Sequence, residues 1–124
     1  MGEPSPILDI RVTRAGEIPV ITVAGEVDMD TVPEVRATLA AELAGGPPAL
    51  VLDLTDVGFF SSAGLSLLLD ARRRVDALAV VATRRAVLRP IKVTAIASLL
   101  SVFGSVDEAL AHVSPAGTAP NTRS

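Results

Sequence analysis

The chain has 124 residues, of which 49% are hydrophobic and 20% are charged, and its formal net charge is -3. This length and composition fit one globular domain with a substantial core and do not fit a disordered linker. The absence of cysteine excludes disulfides and zinc-thiolate sites, while the negative charge and the three aromatic residues argue against direct nucleic-acid binding.

Targeting and cofactor motifs are not found in the sequence. It shows neither a secretory leader nor an apolar run of about 20 residues, so we expect a cytoplasmic protein without membrane association. It also lacks a phosphate-binding glycine loop and the ligand spacing of a calcium loop, so no cofactor or metal is expected. The acids Glu26, Asp28, Asp30 and Glu34 instead fit a solvated turn and a helix start.

The first two elements are predicted to form a β-hairpin. Residues 7–14 alternate apolar and polar side chains, with Ile10 and Val12 on one face. A turn over residues 14–17 leads into a second strand, residues 18–26, which is rich in β-branched side chains. Gly25 indicates an end or a bulge in that strand.

A helix is predicted after the hairpin. Thr31 and Glu34 have the spacing of a capping box, and Pro33 falls in the first turn, where proline is tolerated. Apolar residues then recur at helical spacing, namely Val32, Val35, Leu39 and Leu43. Glycine and proline over residues 45–48 end this helix.

A buried strand over residues 49–54 and a helix beginning near Ser62 are predicted next. The expected buried stripe of that helix is Leu65, Leu68, Leu69 and Val75. Residues 78–82 form another buried strand, and residues 84–93 form a helix in which Pro90 fits only the first turn.

The last elements are predicted to be a short strand and a helix. The strand covers residues 100–103, and Ser105 with Glu108 forms a second capping box for a helix that runs through His112. The order β-β-α-β-α-β-α-β-α predicts one α/β domain over residues 1–113, with a mixed, mostly parallel sheet and about four helices. Small and polar residues predict a disordered tail over residues 114–124.

A serine pair precedes the second helix, in the segment Ser61-Ser62-Ala63-Gly64. One hydroxyl is expected beside the free amides of the helix N-terminus, either as a simple cap or as an exposed phosphate acceptor, because a helix start tolerates negative charge. A catalytic nucleophile is disfavoured, because the Gly-x-Ser-x-Gly pattern is missing and His112 is the one histidine in the chain.

Two motifs resemble the STAS family, the sulfate-transporter and anti-sigma-factor-antagonist domain. Residues 25–28 (Gly-Glu-Val-Asp), followed by Thr31 and Pro33, are similar to the family segment before its first helix. Residues 51–65 (VLDLTDVGFFSSAGL) resemble the family's strand and switch loop, and residues 103–110 resemble its last helix. The resemblance therefore spans residues 7–113.

The resemblance implies a regulator of transcription that works by docking and is not an enzyme. It would bind an anti-sigma factor with a kinase fold and so release a sigma factor, and phosphorylation by that partner would switch it off. The phosphorylated serine falls on Ser62, with Ser61 as a competitor, because Ser61 stands where the family has aspartate and Ala63 replaces the second serine. The implied partner-binding residues are Asp28, Met29, Thr31, Ser61, Ser62, Ala63, Gly64, Ser66 and Leu67.

Alternatives remain open from the sequence. The domain could sense a small ligand or nucleotide, act as an antagonist without phosphorylation, or use Ser62 in catalysis. Leu67 lies between the expected buried and exposed faces, so it is either a partner contact or core. A monomer or a weak dimer is expected.

Overall fold

A computed structural model describes residues 8–113, except the side chain of Ala95. Its elements in chain order are β1 Leu8–Ala15, β2 Ile18–Val27, α1 Val32–Leu43, β3 Ala49–Phe60, α2 Ser62–Arg74, β4 Ala77–Val81, α3 Arg85–Lys92, a 3-10 helix Ala95–Leu99, β5 Ser101–Phe103 and α4 Val106–Val113. The predicted strand residue Ile7 and the predicted tail, residues 114–124, lie outside the described residues.

The five strands form one mixed sheet in the order β1-β2-β3-β4-β5. The hairpin partners β1 and β2 are antiparallel, and the remaining neighbours are parallel. Gly16 makes the hairpin turn with a φ of 63°, a conformation that glycine adopts without strain. The predicted α/β class, the mostly parallel sheet and the four α-helices are confirmed.

The sheet separates two buried clusters. The larger one lies under α1, α2 and α3, and it is built from alternate residues of the strands such as Ile21, Leu50, Leu52 and Val80. The smaller one, on the other face, is covered by α4 through Ala109 and Val113. This arrangement places α2 and α4 on opposite sides of the sheet.

Strand β3 is longer than predicted, because it continues past Leu54 to Phe60. Its pairing with β2 shifts register twice, between Thr22 and Ala24 and between Gly25 and Glu26. These irregularities interrupt the alternation of buried and exposed side chains, which is the signal by which a strand is recognised from sequence. Of the two predictions for Gly25, a strand end or a bulge, the structure favours an irregularity within the strand, because β2 continues to Val27 and the register shifts beside Gly25. The extension of β3 brings its end to the start of α2.

The buried stripe of α2 differs from the predicted one. Leu68 is buried as expected, whereas Leu65 and Leu69 are only partly buried. The helix instead buries Gly64, Leu67, Leu68 and Ala71, which have the spacing i, i+3, i+4 and i+7. Val75, predicted in the stripe, is buried as the residue that ends the helix.

Helix α3 contains Pro90 near its end and not in the first turn, which corrects the prediction. Proline removes one intrahelical hydrogen bond, and the helix stops two residues later at Lys92. The 3-10 helix that follows was not predicted.

The predicted capping box of α4 forms with one changed partner. Ser105 Oγ accepts from the Glu108 amide at 3.1 Å, as expected. Glu108 Oε1 accepts from the Gly104 amide at 3.2 Å, and not from the Ser105 amide that a capping box would use.

Within residues 8–113, none of the helices combines the length and the apolar character needed to span a membrane.

Candidate functional site

Two segments of the chain meet at the C-terminal edge of the parallel strands β2 and β3. Val27 lies opposite Phe60 at the last position of the paired register. One residue on, the Ser61 amide donates to the Val27 carbonyl oxygen at 2.9 Å. The β2–α1 loop, residues 28–31, is therefore adjacent to the β3–α2 junction, residues 61–64, as the predicted site requires.

The β2–α1 loop is closed by its own polar side chains. Thr31 Oγ1 donates to the Glu26 carbonyl oxygen at 2.8 Å and accepts from the Asp28 amide at 2.9 Å. Asp28 Oδ1 accepts from the amides of Asp30 at 2.9 Å and Thr31 at 3.0 Å. Local side-chain bonds of this kind compete with helix capping and hold the loop in one shape.

The capping box predicted at Thr31 and Glu34 does not form. Thr31 is the residue before α1, but its backbone is already helical, with φ of -97° and ψ of -24°, and its hydroxyl makes no capping bond. The hydroxyl is turned back to the end of β2 instead, where it binds Glu26 and Asp28. Thr31 is therefore a structural tie between the strand and the helix.

The two serines of the β3–α2 junction have different environments. Ser61 has an extended backbone and caps α2, because its Oγ accepts from the Ala63 amide at 3.2 Å. Ser62 is the first helical residue and is exposed. Its hydroxyl makes no hydrogen bond to any other residue between 8 and 113. The predicted cap is thus confirmed at Ser61, and the unbonded hydroxyl belongs to Ser62.

The start of α2 is fixed by close packing between Gly64 and Phe60. A Cβ atom on Gly64 would lie 2.7 to 3.0 Å from three atoms of the Phe60 ring. Phe60 is itself buried, at 5% exposure, so the ring has little room to move. Glycine is therefore required at this position for α2 to approach β3.

The one histidine of the chain does not lie at this edge of the sheet. His112 lies on α4, across the sheet from α2, and its ring packs against Phe103 with a centroid distance of 4.9 Å. No cluster of three or more potential metal-ligating side chains occurs between residues 8 and 113. The exposed Ser62 hydroxyl therefore has no histidine beside it.

Comparison with known families identifies the fold. The family model described as "Mlab, STAS domain" matches residues 10–102, which is most of the chain. The chain belongs to the STAS domain family. The predicted resemblance is therefore confirmed.

Relatives of this STAS domain include proteins named as anti-sigma factor antagonists. The anti-sigma-F factor antagonist RsfB of Mycobacterium tuberculosis is 28% identical over 109 residues, covering 86% of this chain and 89% of RsfB. An anti-sigma factor antagonist from Mycobacterium paratuberculosis has a crystal structure that is 33% identical, with a TM-score of 0.82, covering 86% of this chain and 93% of that one.

A more distant structure shares the STAS fold. The Bacillus cell fate determinant SpoIIAA, in its unphosphorylated form, is 17% identical with a TM-score of 0.72. The match covers 85% of this chain and 96% of SpoIIAA. At this identity the likeness concerns the fold alone.

The residues predicted to bind a partner fall into an exposed and a buried layer of the STAS edge. Met29, Ser62 and Ser66 are exposed, and Asp28, Ser61 and Ala63 are partly exposed. Thr31, Gly64 and Leu67 are buried. Leu67, at 1% exposure, is core, which resolves the two interpretations of this residue. These three buried residues support the surface from below and are not themselves exposed on it.

Two exposed apolar side chains lie at this edge. Met29 at the tip of the β2–α1 loop is 78% exposed, and Phe59 at the end of β3 is 51% exposed. Phe59 was not among the predicted site residues, although two consecutive aromatic residues at a strand end indicate that one of them faces outward. Large apolar groups exposed beside a polar surface are typical of protein contact sites.

Proposed function

We propose that this STAS domain is an anti-sigma-factor antagonist that acts by docking and not by catalysis. Its docking surface is the edge formed by the β2–α1 loop, the β3–α2 junction and the exposed side of α2. The observation that carries the proposal is the Ser62 hydroxyl, which is exposed at the first residue of α2 and makes no hydrogen bond within the described chain. The names of RsfB and of the Mycobacterium paratuberculosis protein support this class of function.

The partner in this proposal is an anti-sigma factor with a kinase fold, which this protein binds so that a sigma factor is released. Met29 in the β2–α1 loop and Phe59 near the end of β3 are exposed and supply apolar contact area at the same edge of the sheet. Asp28 and Ser61 supply a polar rim whose shape is fixed by hydrogen bonds inside the chain. A rigid surface of this kind loses little conformational entropy on association.

Phosphorylation at Ser62 is the proposed switch. A phosphoserine carries about -1.5 to -2 charges, and a helix N-terminus favours negative charge, so modification leaves the fold intact. In a bound complex the same charge would have to be buried against the partner, which is costly without a cation opposite it. Binding would therefore be lost without a large movement of the protein.

Ser62 is favoured over Ser61 as the phosphate acceptor. The Ser61 oxygen already accepts from the Ala63 amide, and modification at this position would disturb the cap of α2. Ser62 has no such bond to lose. The proposed partner would therefore modify the serine that contributes least to folding.

The experiment that tests this proposal is a titration of the purified anti-sigma factors of the same genome against the wild-type chain, Ser62→Ala and Ser62→Asp. We expect one anti-sigma factor to bind the wild type and Ser62→Ala with similar affinity. We expect Ser62→Asp to bind it at least tenfold more weakly, which corresponds to about 1.4 kcal/mol.

The control variant is Ala111→Asp, which places the same charge at an exposed position of α4, across the sheet from α2. It should bind like the wild type. Absence of binding to every anti-sigma factor, or equal binding by Ser62→Ala and Ser62→Asp, would contradict the proposal.

A further inference from the structure

Arginine residues outside α3 are paired throughout the described part of the chain. Each of them contacts a carboxylate or, in one case, a carbonyl oxygen. These pairs are Arg11 with Asp9, Arg14 with Glu42, Arg36, Arg73 and Arg74 with Asp70, Arg84 with Asp56, and Arg72 with the carbonyl of Leu99. Between residues 8 and 113, the positive charges outside α3 are thus matched within the chain.

Helix α3 is the exception. The side chains of Arg85, Arg89 and Lys92 make neither a hydrogen bond nor an ion pair with any residue between 8 and 113. Their spacing of i, i+4 and i+7 places them along one side of the helix over about 10 Å, and we call this row the basic face of α3. The opposite side of α3 buries Val87 and Ile91 in the core, so the helix cannot rotate to find acids elsewhere.

The basic face lines a surface groove of about 450 Å³. The remaining lining residues are Thr83, Leu88 and Val93. Val93 is 70% exposed, which is high for an aliphatic side chain. The groove therefore combines unpaired cations with exposed apolar surface.

Three unpaired cations on a helix of this length repel one another, and like charges at i, i+4 destabilise a helix slightly. The whole chain is acidic, with a net charge of -3 that includes these three cations. The concentration of unmatched positive charge on one helix face is therefore a local feature. It fits a surface whose neutralising groups are supplied by another molecule.

The basic face is next to the proposed docking surface. Because β3 and β4 are parallel, α3 begins at the same edge of the sheet as α2. Arg84, immediately before α3, reaches back to Asp56 on β3, with an Nη2 to Oδ1 distance of 3.9 Å. Helix α3 also packs against both β3 and α2. A protein that covers Ser62 and the exposed side of α2 would extend onto α3.

We propose that the basic face of α3 binds an acidic segment of the anti-sigma factor and so completes the docking surface; this inference rests on the proposed function. The acids of the β2–α1 loop lie at one end of the edge and the cations of α3 at the other, with Ser62 between them. A partner with the opposite order of charges docks in only one orientation, because the reversed orientation places like charges together.

A protein segment fits the groove better than other anionic ligands do. Leu88 and Val93 offer apolar contacts that a free phosphate would not use. The groove has no aromatic side chain on which bases could stack, and no aromatic anchor for a lipid surface. Acidic side chains interspersed with apolar ones match both parts of the lining.

The test uses the double variant Arg85→Glu/Arg89→Glu in the full chain. Its matched control is Arg11→Glu/Arg14→Glu, which makes the same change of charge on β1, at the outer edge of the sheet. Each protein is titrated with the anti-sigma factor that binds the wild type, at several salt concentrations. Circular dichroism and thermal unfolding establish that each variant is folded.

We expect the α3 variant to bind the anti-sigma factor at least tenfold more weakly than the wild type, with a shallower dependence of affinity on salt. The β1 control should stay within about twofold of the wild type, as expected for charges outside an interface. Loss of affinity in the α3 variant alone would support the proposal.

Two results would overturn this inference while leaving the proposed function in place. In the first, Ser62→Asp weakens binding but the α3 variant keeps wild-type affinity and salt dependence. In the second, inorganic phosphate or vesicles containing an anionic phospholipid bind the wild type and not the α3 variant, while the affinity for the anti-sigma factor is unchanged. If the wild type binds no anti-sigma factor, the proposed function itself fails.

Discussion

The β2–α1 loop and the β3–α2 junction lie side by side but hold their shapes by different means. In the loop, the side chains of Thr31 and Asp28 are committed to backbone groups. In the junction, shape comes from the contact between Gly64 and the Phe60 ring, with a single cap from Ser61. The loop therefore uses its polar groups for structure, whereas the junction leaves the Ser62 hydroxyl available.

This difference explains how one edge can be both rigid and modifiable. A hydroxyl that stabilises the fold cannot be modified without loss of stability. At the start of α2, Ser61 supplies the capping hydroxyl and Gly64 supplies the close packing, so the Ser62 hydroxyl is not needed for either. The variants below test whether the loop is held by hydrogen bonds and the junction by packing.

The largest stability effect is expected for Gly64→Val. The new side chain would collide with the buried Phe60 ring, since even a Cβ atom comes within 3.0 Å of it. We expect the free energy of unfolding to fall by about 2 to 3 kcal/mol, measured by chemical denaturation. The control is Gly58→Val, where a Cβ would meet only the end of the Arg84 side chain at 3.6 Å. Equal losses in both variants would show that packing at Gly64 is not special.

A smaller loss is expected for Thr31→Val, which keeps the shape of the side chain and removes its hydroxyl. The Glu26 carbonyl oxygen and the Asp28 amide would lose their partner in a partly buried setting. We expect a decrease of about 1 to 2 kcal/mol in the free energy of unfolding. Thr38→Val is the control, because Thr38 bonds only to a carbonyl within α1 and should change stability by less than about 0.5 kcal/mol. Matching values for the two variants would argue against the hydrogen-bonded loop.

The smallest effect separates the two serines. Ser61→Ala removes the cap of α2 and should cost about 1 kcal/mol of stability. Ser62→Ala removes no hydrogen bond and should stay within about 0.5 kcal/mol of the wild type. Thermal unfolding of both variants under one set of conditions provides the comparison. The reverse order would mean that Ser62 is the structural hydroxyl.

Much of the fold could be predicted because its signals are local. The hairpin and the order of strands and helices follow from periodicity and turn residues. The end of β3 could not be predicted, because two register shifts hide its alternation. The capping box predicted at Thr31 was wrong because the Thr31 hydroxyl binds the Glu26 carbonyl and the Asp28 amide instead. These partners come together only in the folded loop, so the sequence does not show them.

The candidate site was predictable in position but not in detail. The resemblance to the STAS family implied that residues 28–31 and 61–64 lie together, and the structure places them side by side. Sequence alone could not separate the capping Ser61 from the exposed Ser62, because both are good capping residues. Four leucines between residues 65 and 69 made the buried side of α2 ambiguous, so the core position of Leu67 needed the structure. The unpaired cations of α3 also became evident only when the partners of the other arginines were known.

The central claim is that the charge state of the Ser62 hydroxyl controls docking. The most direct test measures the affinity of the anti-sigma factor for the wild-type protein before and after phosphorylation, with the modified residue mapped by mass spectrometry. Ser62→Ala, treated with the same kinase preparation, is the control. We predict that affinity is lost when Ser62 carries phosphate and that Ser62→Ala keeps its affinity after the treatment. Unchanged affinity with Ser62 fully phosphorylated would contradict the account.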